Sequence, residues 1–267
     1  MLYLTNYRKA LETHSNLFGR TVNPYNTKLT SGGSSGGEAA LIGMRGSALG
    51  IGTDIGTCSI MKGMGVVLML IYRSGGSIRA PSAFCGGYGL KPSIARIPHS
   101  GLSGLHAGME NIIGCVGPMA NSVQDLSLFC EVALAARPWD WEPSLIEIPW
   151  RPFPVESLPS RLKIGVMWHD GVVMPHPPVA RALQETVDAL RDAGHTIVDW
   201  DPKLHPSLHK WINRAYFLDN AQEYRESLQE SSDPPVPIIE WLLDTYGRER
   251  CSVEETWQVK NTVMKIM

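Results

Sequence analysis

Serine set among glycines is the feature of this chain with the clearest chemical meaning. Ser31 to Glu38 reads SGGSSGGE, Gly52 to Gly56 reads GTDIG, and Gly75 to Arg79 reads GGSIR. A serine hydroxyl is a weak nucleophile at neutral pH, so acyl transfer through it needs a base within hydrogen-bond reach and donors for the developing oxyanion. Glycine-rich loops supply the donors, because backbone N–H groups can converge on a substrate oxygen with no side chain in the way. An isolated GGSSGG would read as a flexible linker. Here it is followed by two more segments of the same kind, carrying the opposite charges of Asp54 and Arg79.

Elements with regular periodicity must hold these loops. After Gly37 the run EAALIGM is a good helix former, and either Ser34 or Ser35 can cap it, gathering backbone donors beside the serines. Further on, Ser122 precedes VQDLSLFCEVALAA, where Val123, Leu126, Phe129, Cys130 and Ala133 mark one helical face and Asp125 stands in a capping-box position. Arg137 to Pro159, dense in Pro and Trp, reads as an extended connection across the domain surface. Beyond it the pattern is β-α-β: KIGVMW from Lys163, a helix from about Val179 to Ala193 with Leu183, Val187 and Leu190 inward and Gly194 just past its end, then HTIVDW from His195. Two short strands around an amphipathic helix imply parallel pairing with a right-handed crossover. Helices are expected over Trp211 to Leu228, Ile238 to Tyr246 and Val253 to Met267.

Composition sets the outer limits. With 43% hydrophobic and 19% charged residues the chain is expected to fold as a globular α/β protein. A net charge of -2 gives no broad basic surface, so nucleic acid is not an expected partner. Five cysteines without C-x-x-C spacing fit a reducing, cytoplasmic setting. The longest apolar run, Val66 to Tyr72, is far short of the roughly 20 residues that span a bilayer, so no transmembrane segment is expected. Eight histidines without a ligand pair at helical spacing give no metal site, and Gly50, Gly52 and Gly56 lack the preceding strand of a dinucleotide loop. No metal or organic cofactor is expected. Cys58 reads as a buried structural cysteine, since no nearby histidine supports it as a nucleophile.

The segments SGGSSGGE, GTDIG and GGSIR, continued by SIRAPSAFCG, YGLKPS and GPMANSVQDL in that order, resemble the amidase signature family, in its fungal acetamidase-like and fatty-acid-amide-hydrolase-like branch. The resemblance implies a mixed central β-sheet flanked by helices and a Ser, cis-Ser, Lys mechanism that hydrolyses carboxylic amides to acid and amine or ammonia. It makes Ser77 the nucleophile and Ser34 the bridging serine with a cis peptide. It draws oxyanion donors from the backbone amides of Ile55, Gly56, Gly76 and Ser77, with Ser35, Asp54 and Arg79 as supports. The implied partner is a small-molecule amide, and a homodimer is one expected assembly.

The chain departs from that family's pattern in three ways. In the family TDIG runs directly into GSIR, whereas here Thr57 to Gly75, or equally Gly56 to Ser74, intervenes; removing either restores GTDIGGSIR. A short intron translated in frame would have this length. The family's lysine lies well before the serine cluster, and Lys9 and Lys28, the only lysines ahead of Ser34, read as surface residues. The family domain also continues past the helical region. The expectation is one partial domain over 1–267, incomplete at both ends, with a core signature region at about 16–134, an insertion at about 57–75, and a β-α-β and helical region at about 161–267. The alternative expectation is a catalytically dead fragment that only binds or dimerises, or a product without function.

Overall fold

A computed structural model of the chain describes residues 11–55, 75–102, 108–151, 159–247 and 250–266. Short hairpins open it: β1 (His14–Ser15) pairs with β2 (Gly19–Arg20), and β3 (Val22–Asn23) with β4 (Asn26–Thr30). They lead through the serine cluster into α1 (Gly36–Gly43) and β5 (Leu49–Asp54). Then follow α2 (Arg79–Phe84), β6 (Tyr88–Gly89), β7 (Cys115–Ala120) and α3 (Val123–Ala135). Strands β5, β7 and β6 form a three-stranded antiparallel sheet with β7 in the centre. Every residue of β7 is buried, and Ala39, Ala40 and Ile42 of α1 pack with Ile78, Cys85 and Met119 against it.

Strand β5 inverts the usual pattern. Alternation along LGIGTD buries Gly50, Gly52 and Asp54 while Leu49 and Ile51 face outward. Space dictates the choice: a Cβ at Gly52 would stand 2.8 Å from both Ile78 Cγ1 and Met119 Sδ and 2.9 Å from Ser35 Oγ. The inner face of β5 therefore carries glycine, and it delivers Asp54 to the interior.

Helix α3 begins at Ser122, whose hydroxyl accepts the Asp125 N–H at 3.1 Å and donates to the Asp125 carboxylate at 2.6 Å. Its buried residues are Leu126, Cys130 and Leu134, while Val123 is exposed, so the inward face is turned slightly from the one the sequence suggests. The Pro/Trp-rich connection folds back on this part of the molecule. Trp139 and Trp150 pack on Ile97, Val116 and Leu134, and Trp150 Nε1 donates to Ser127 Oγ at 3.1 Å. The buried Glu142 accepts the backbone N–H groups of His99 and Ser100 and pairs with His99 Nδ1 at 2.9 Å. Burial opposes its ionisation, but the Ser100 and His99 backbone donors outweigh that and hold its carboxyl below the usual range.

Beyond the connection, β8 (Lys163–Val166), α4 (Pro177–Asp192) and β9 (Thr196–Asp199) form the β-α-β unit with parallel strands in register from Lys163↔Thr196 to Val166↔Asp199. Val187 is the buried anchor of α4, with Leu183 and Leu190 half-buried beside it. Gly194 closes the helix at φ +85, where the N–H groups of Gly194 and His195 return to the carbonyls of Arg191 and Leu190. The class is α/β. Among the described residues, the antiparallel and parallel pairings lie in separate sheets rather than in one mixed sheet.

Among the described residues four helices follow: α5 (His205–Tyr216), α6 (Gln222–Ser231), α7 (Pro237–Tyr246) and α8 (Val253–Ile266). The single helix expected over Trp211 to Leu228 is thus two. Asn220 and Ala221 adopt positive φ, and the Asp219 carboxylate accepts the N–H groups of Ala221 and Glu223, starting a new helix. These helices enclose a core of Ile212, Tyr216, Phe217, Tyr224, Ile239 and Val259 that also takes in Ile55 and Ile112. The C-terminal helices thereby reach the residue that directly follows β5. No described helix is long and apolar enough to cross a membrane.

Candidate active site

The serine cluster is ordered from outside its own sequence. Thr13 Oγ1 accepts the Gly36 N–H at 3.0 Å and lies 3.0 Å from the Gly32 carbonyl oxygen and 3.2 Å from that of Ser34, so one hydroxyl ties together both ends of the SGGSSG turn. Its proton can serve only one of the two carbonyls at a time. Gly32 sits at φ +80 with Pro81 Cα 2.9 Å from where a Cβ would be, a close approach that only glycine permits. The Gly33–Ser34 peptide is cis.

Asp54 organises the second loop. Its Oδ1 accepts the Gly76 N–H at 2.9 Å, its Oδ2 accepts the Ile78 N–H at 3.3 Å, and the Arg79 fork closes on both oxygens, with Nε at 3.0 Å and Nη2 at 3.4 Å. Asp54 is fully buried and the Arg79 side chain is 7% exposed, so the pair is desolvated. A buried charge is tolerated only when paired and hydrogen-bonded, and both conditions hold here. The carboxylate therefore fixes the backbone on each side of Ser77 and caps the start of α2. Gly76 bends into this arrangement at φ +117, which disfavours any side chain.

The two loops meet at Ser77. The Ser35 N–H donates to the Ser77 carbonyl at 3.1 Å, which sets the half-buried Ser34 and the buried Ser35 beside the buried Ser77. Ser35 occupies the first position before α1, but its hydroxyl does not cap the helix. It turns instead to β5, accepting the Thr53 N–H at 3.2 Å and lying 3.4 Å from the Thr53 carbonyl. Thr13 supplies the helix start with the cap that neither serine gives. SGGSSGG, GTDI and GGSIR are thus joined by hydrogen bonds into one buried assembly.

Not every residue singled out from the sequence fits its expected place. The Gly76 N–H points at Asp54, which takes it away from an oxyanion; the charged acceptor beside it is the reason. Gly56 and residues 57–74 of the insert, with Cys58, lie outside the described residues, as does Lys9. Lys28 is exposed on β4. Gly50 and Gly52 lie within β5 and serve packing.

Three contributors escaped sequence reasoning. Thr13 precedes the expected core boundary. Cys115, the β7 partner of Asp54, has its sulfur 3.6 Å from the Asp54 carbonyl, and burial pushes its thiol pKa up even though Lys91 works the other way. Tyr216 donates its hydroxyl to the Ile55 carbonyl at 2.9 Å from a position far along the chain. No local signal marks any of them, because each acts through a contact between distant elements.

The model of the family described as Amidase matches residues 5–60 and 74–262, leaving 61–73 uncovered. The chain belongs to the amidase family. Its relatives include an acetamidase of Emericella nidulans, 39% identical over 251 residues, covering 92% of this chain and 42% of the relative. An acetamidase of Aspergillus oryzae is 35% identical over 254 residues, with 93% and 43% covered. Among solved structures, a fatty acid amide hydrolase is similar with a TM-score of 0.84 at 32% identity, covering 97% of this chain and 42% of that one. A 6-aminohexanoate cyclic dimer hydrolase, at 22% identity and a TM-score of 0.69, shares the fold. This amidase-family chain spans less than half the length of the relatives it matches. Its described part has the fold of amidase signature enzymes, with Asp54, Ser77 and Arg79 in one buried frame.

Proposed function

We propose that this chain carries the nucleophile side of an amidase site, acting on carboxylic amides. In this reading Ser77 Oγ attacks the amide carbonyl carbon, and its proton passes through Ser34 to a lysine. The backbone N–H groups of Ile55, Gly56 and Ser77 hold the oxyanion, while Asp54, Arg79 and Ser35 position the loops. The lysine returns that proton through Ser34 to the amide nitrogen, collapse of the tetrahedral intermediate breaks the C–N bond and expels the neutral amine, and water then hydrolyses the acyl ester left on Ser77 to the acid. The observation that carries the reading is the Ser35 N–H to Ser77 carbonyl hydrogen bond, which holds the two serine loops together. Small aliphatic amides are the proposed substrates, by analogy with the named acetamidases. The buried Cys85, Cys115 and Cys130 form no disulfide, which supports a reducing, cytoplasmic setting, and self-association of two chains belongs to the same proposal.

A second reading rests on the base. Lys28 is the only lysine among the described residues ahead of Ser34, and it is exposed. If no lysine reaches Ser34, the chain is catalytically silent or nearly so, because loss of one member of a catalytic triad typically leaves only about 10³–10⁴-fold acceleration over water. Incubation of the folded chain with a fluorophosphonate serine probe, followed by peptide mass spectrometry, separates the readings. Labelling at Ser77 that disappears in Ser77→Ala, with ammonia released from acetamide, is the result expected for the amidase. A folded chain that Ser77 labelling never reaches leaves the silent reading standing.

A further inference from the structure

Ile55 is the first residue beyond the β5 to β7 ladder, which ends at the pair Asp54↔Cys115. Its carbonyl is buried, and a buried carbonyl without a partner is costly. Tyr216, at the last position of α5, supplies the missing donor through a 2.9 Å hydrogen bond from its hydroxyl. The site around Ile55 is built to hold this residue still. Its side chain lies in the core formed by Ile112, Ala215, Tyr216 and Phe217. Gly114 leaves room for it, since a Cβ there would stand 2.8 Å from Ile55 Cγ2. Asn111 Nδ2 donates to the Ala215 carbonyl at 2.9 Å and locks the neighbouring loop to the same end of α5.

We propose that Tyr216 is a positioning residue for the oxyanion loop, fixing the backbone of Ile55 from the helical layer while Asp54 fixes Gly76 and Ile78 from the sheet. The inference rests on the amidase reading above, in which the Ile55 amide is an oxyanion donor. Preorganised donors stabilise a transition state only while their direction is fixed, and loss of one donor typically costs about 10²–10³ in rate. Misdirecting a donor that is still present costs less. Burial keeps the Tyr216 hydroxyl protonated, with the nearby Asp54 charge acting in the same sense, so the donor persists across the working pH range.

The test compares wild type, Tyr216→Phe and Tyr224→Phe, a second buried tyrosine of the same core. For each, the rate of fluorophosphonate labelling at Ser77 is resolved into a maximal rate and a half-saturating concentration. Hydrogen exchange is followed in peptides covering 49–55 and 75–79. Tyr216→Phe is expected to lower the maximal labelling rate about 10- to 100-fold, with little change in half-saturation, and to speed exchange at those peptides. Tyr224→Phe is expected to change thermal stability without either effect. Tyr216→Phe that folds and labels at the wild-type rate, or that leaves exchange unchanged, overturns the positioning role alone. Folded wild type that does not label overturns the amidase reading together with the oxyanion role, so the two failures are distinguishable.

Discussion

The serine loops and the β8-α4-β9 unit solve the problem of holding a backbone in opposite ways. Around Ser77 the restraint is polar and buried: one carboxylate takes two backbone N–H groups and an arginine fork, and one threonine hydroxyl accepts the Gly36 N–H and donates to the Gly32 or the Ser34 carbonyl. In β8-α4-β9 the restraint is an apolar stripe centred on Val187, while the ion pairs Arg181–Glu185 and Arg191–Asp188 lie on the surface. Exposed pairs of that type are worth about 0–1 kcal/mol, so the unit depends on packing and on its helix end. A buried polar frame gives angular precision, which hydrophobic contact does not, and the site is where precision is needed.

Removing Asp54 should break the comparison most sharply. Asp54→Ala leaves the buried Arg79 without its counter-charge and strips the acceptor from Gly76 and Ile78. The expected loss is about 3–5 kcal/mol in denaturant unfolding, with Ser77 labelling abolished. Stability unchanged by this substitution would mean that the frame is not what holds the loops. Val187→Ala probes the other region and should cost about 2 kcal/mol, from the lost apolar groups and the cavity they leave, while folded protein labels at Ser77 as before. A fall in labelling would show that the two regions are coupled. The smallest effect is expected from Gly194→Ala, about 1 kcal/mol, because φ +85 disfavours a Cβ although it would meet no atom nearer than Arg161 Nε at 3.9 Å. Thermal melts of both proteins check this, and an unchanged midpoint would remove the helix end from the restraints on this unit.

The same contrast explains which parts were legible in the sequence. Strands β8 and β9 and helix α4 follow their periodicity to within a residue or two, because each presents one apolar face to one neighbour. Strand β5 defeats that logic. Its large residues, Leu49 and Ile51, face out and its glycines face in, since Ile78, Met119 and Ser35 fill the space on the inner side. The break between α5 and α6 was equally hidden, because it depends on Asn220 and Ala221 adopting positive φ under the hold of Asp219. Ser34, Ser35, Asp54, Ser77 and Arg79 were all legible as motif residues, but the motif did not reveal that Gly76 gives its N–H to Asp54.

The sequence by itself determined the family, the α/β class, the loops that carry the serines and the opposite charges that flank them, because these are set by residue types over short spans. Only the tertiary structure decided the partners. It gave Ser35 to Thr53 rather than to its own helix, Thr13 to the turn around Ser34, and Tyr216 to the carbonyl of Ile55. Each of these is a hydrogen bond between residues far apart in the chain, demanded by burial of a backbone group that no local neighbour can satisfy.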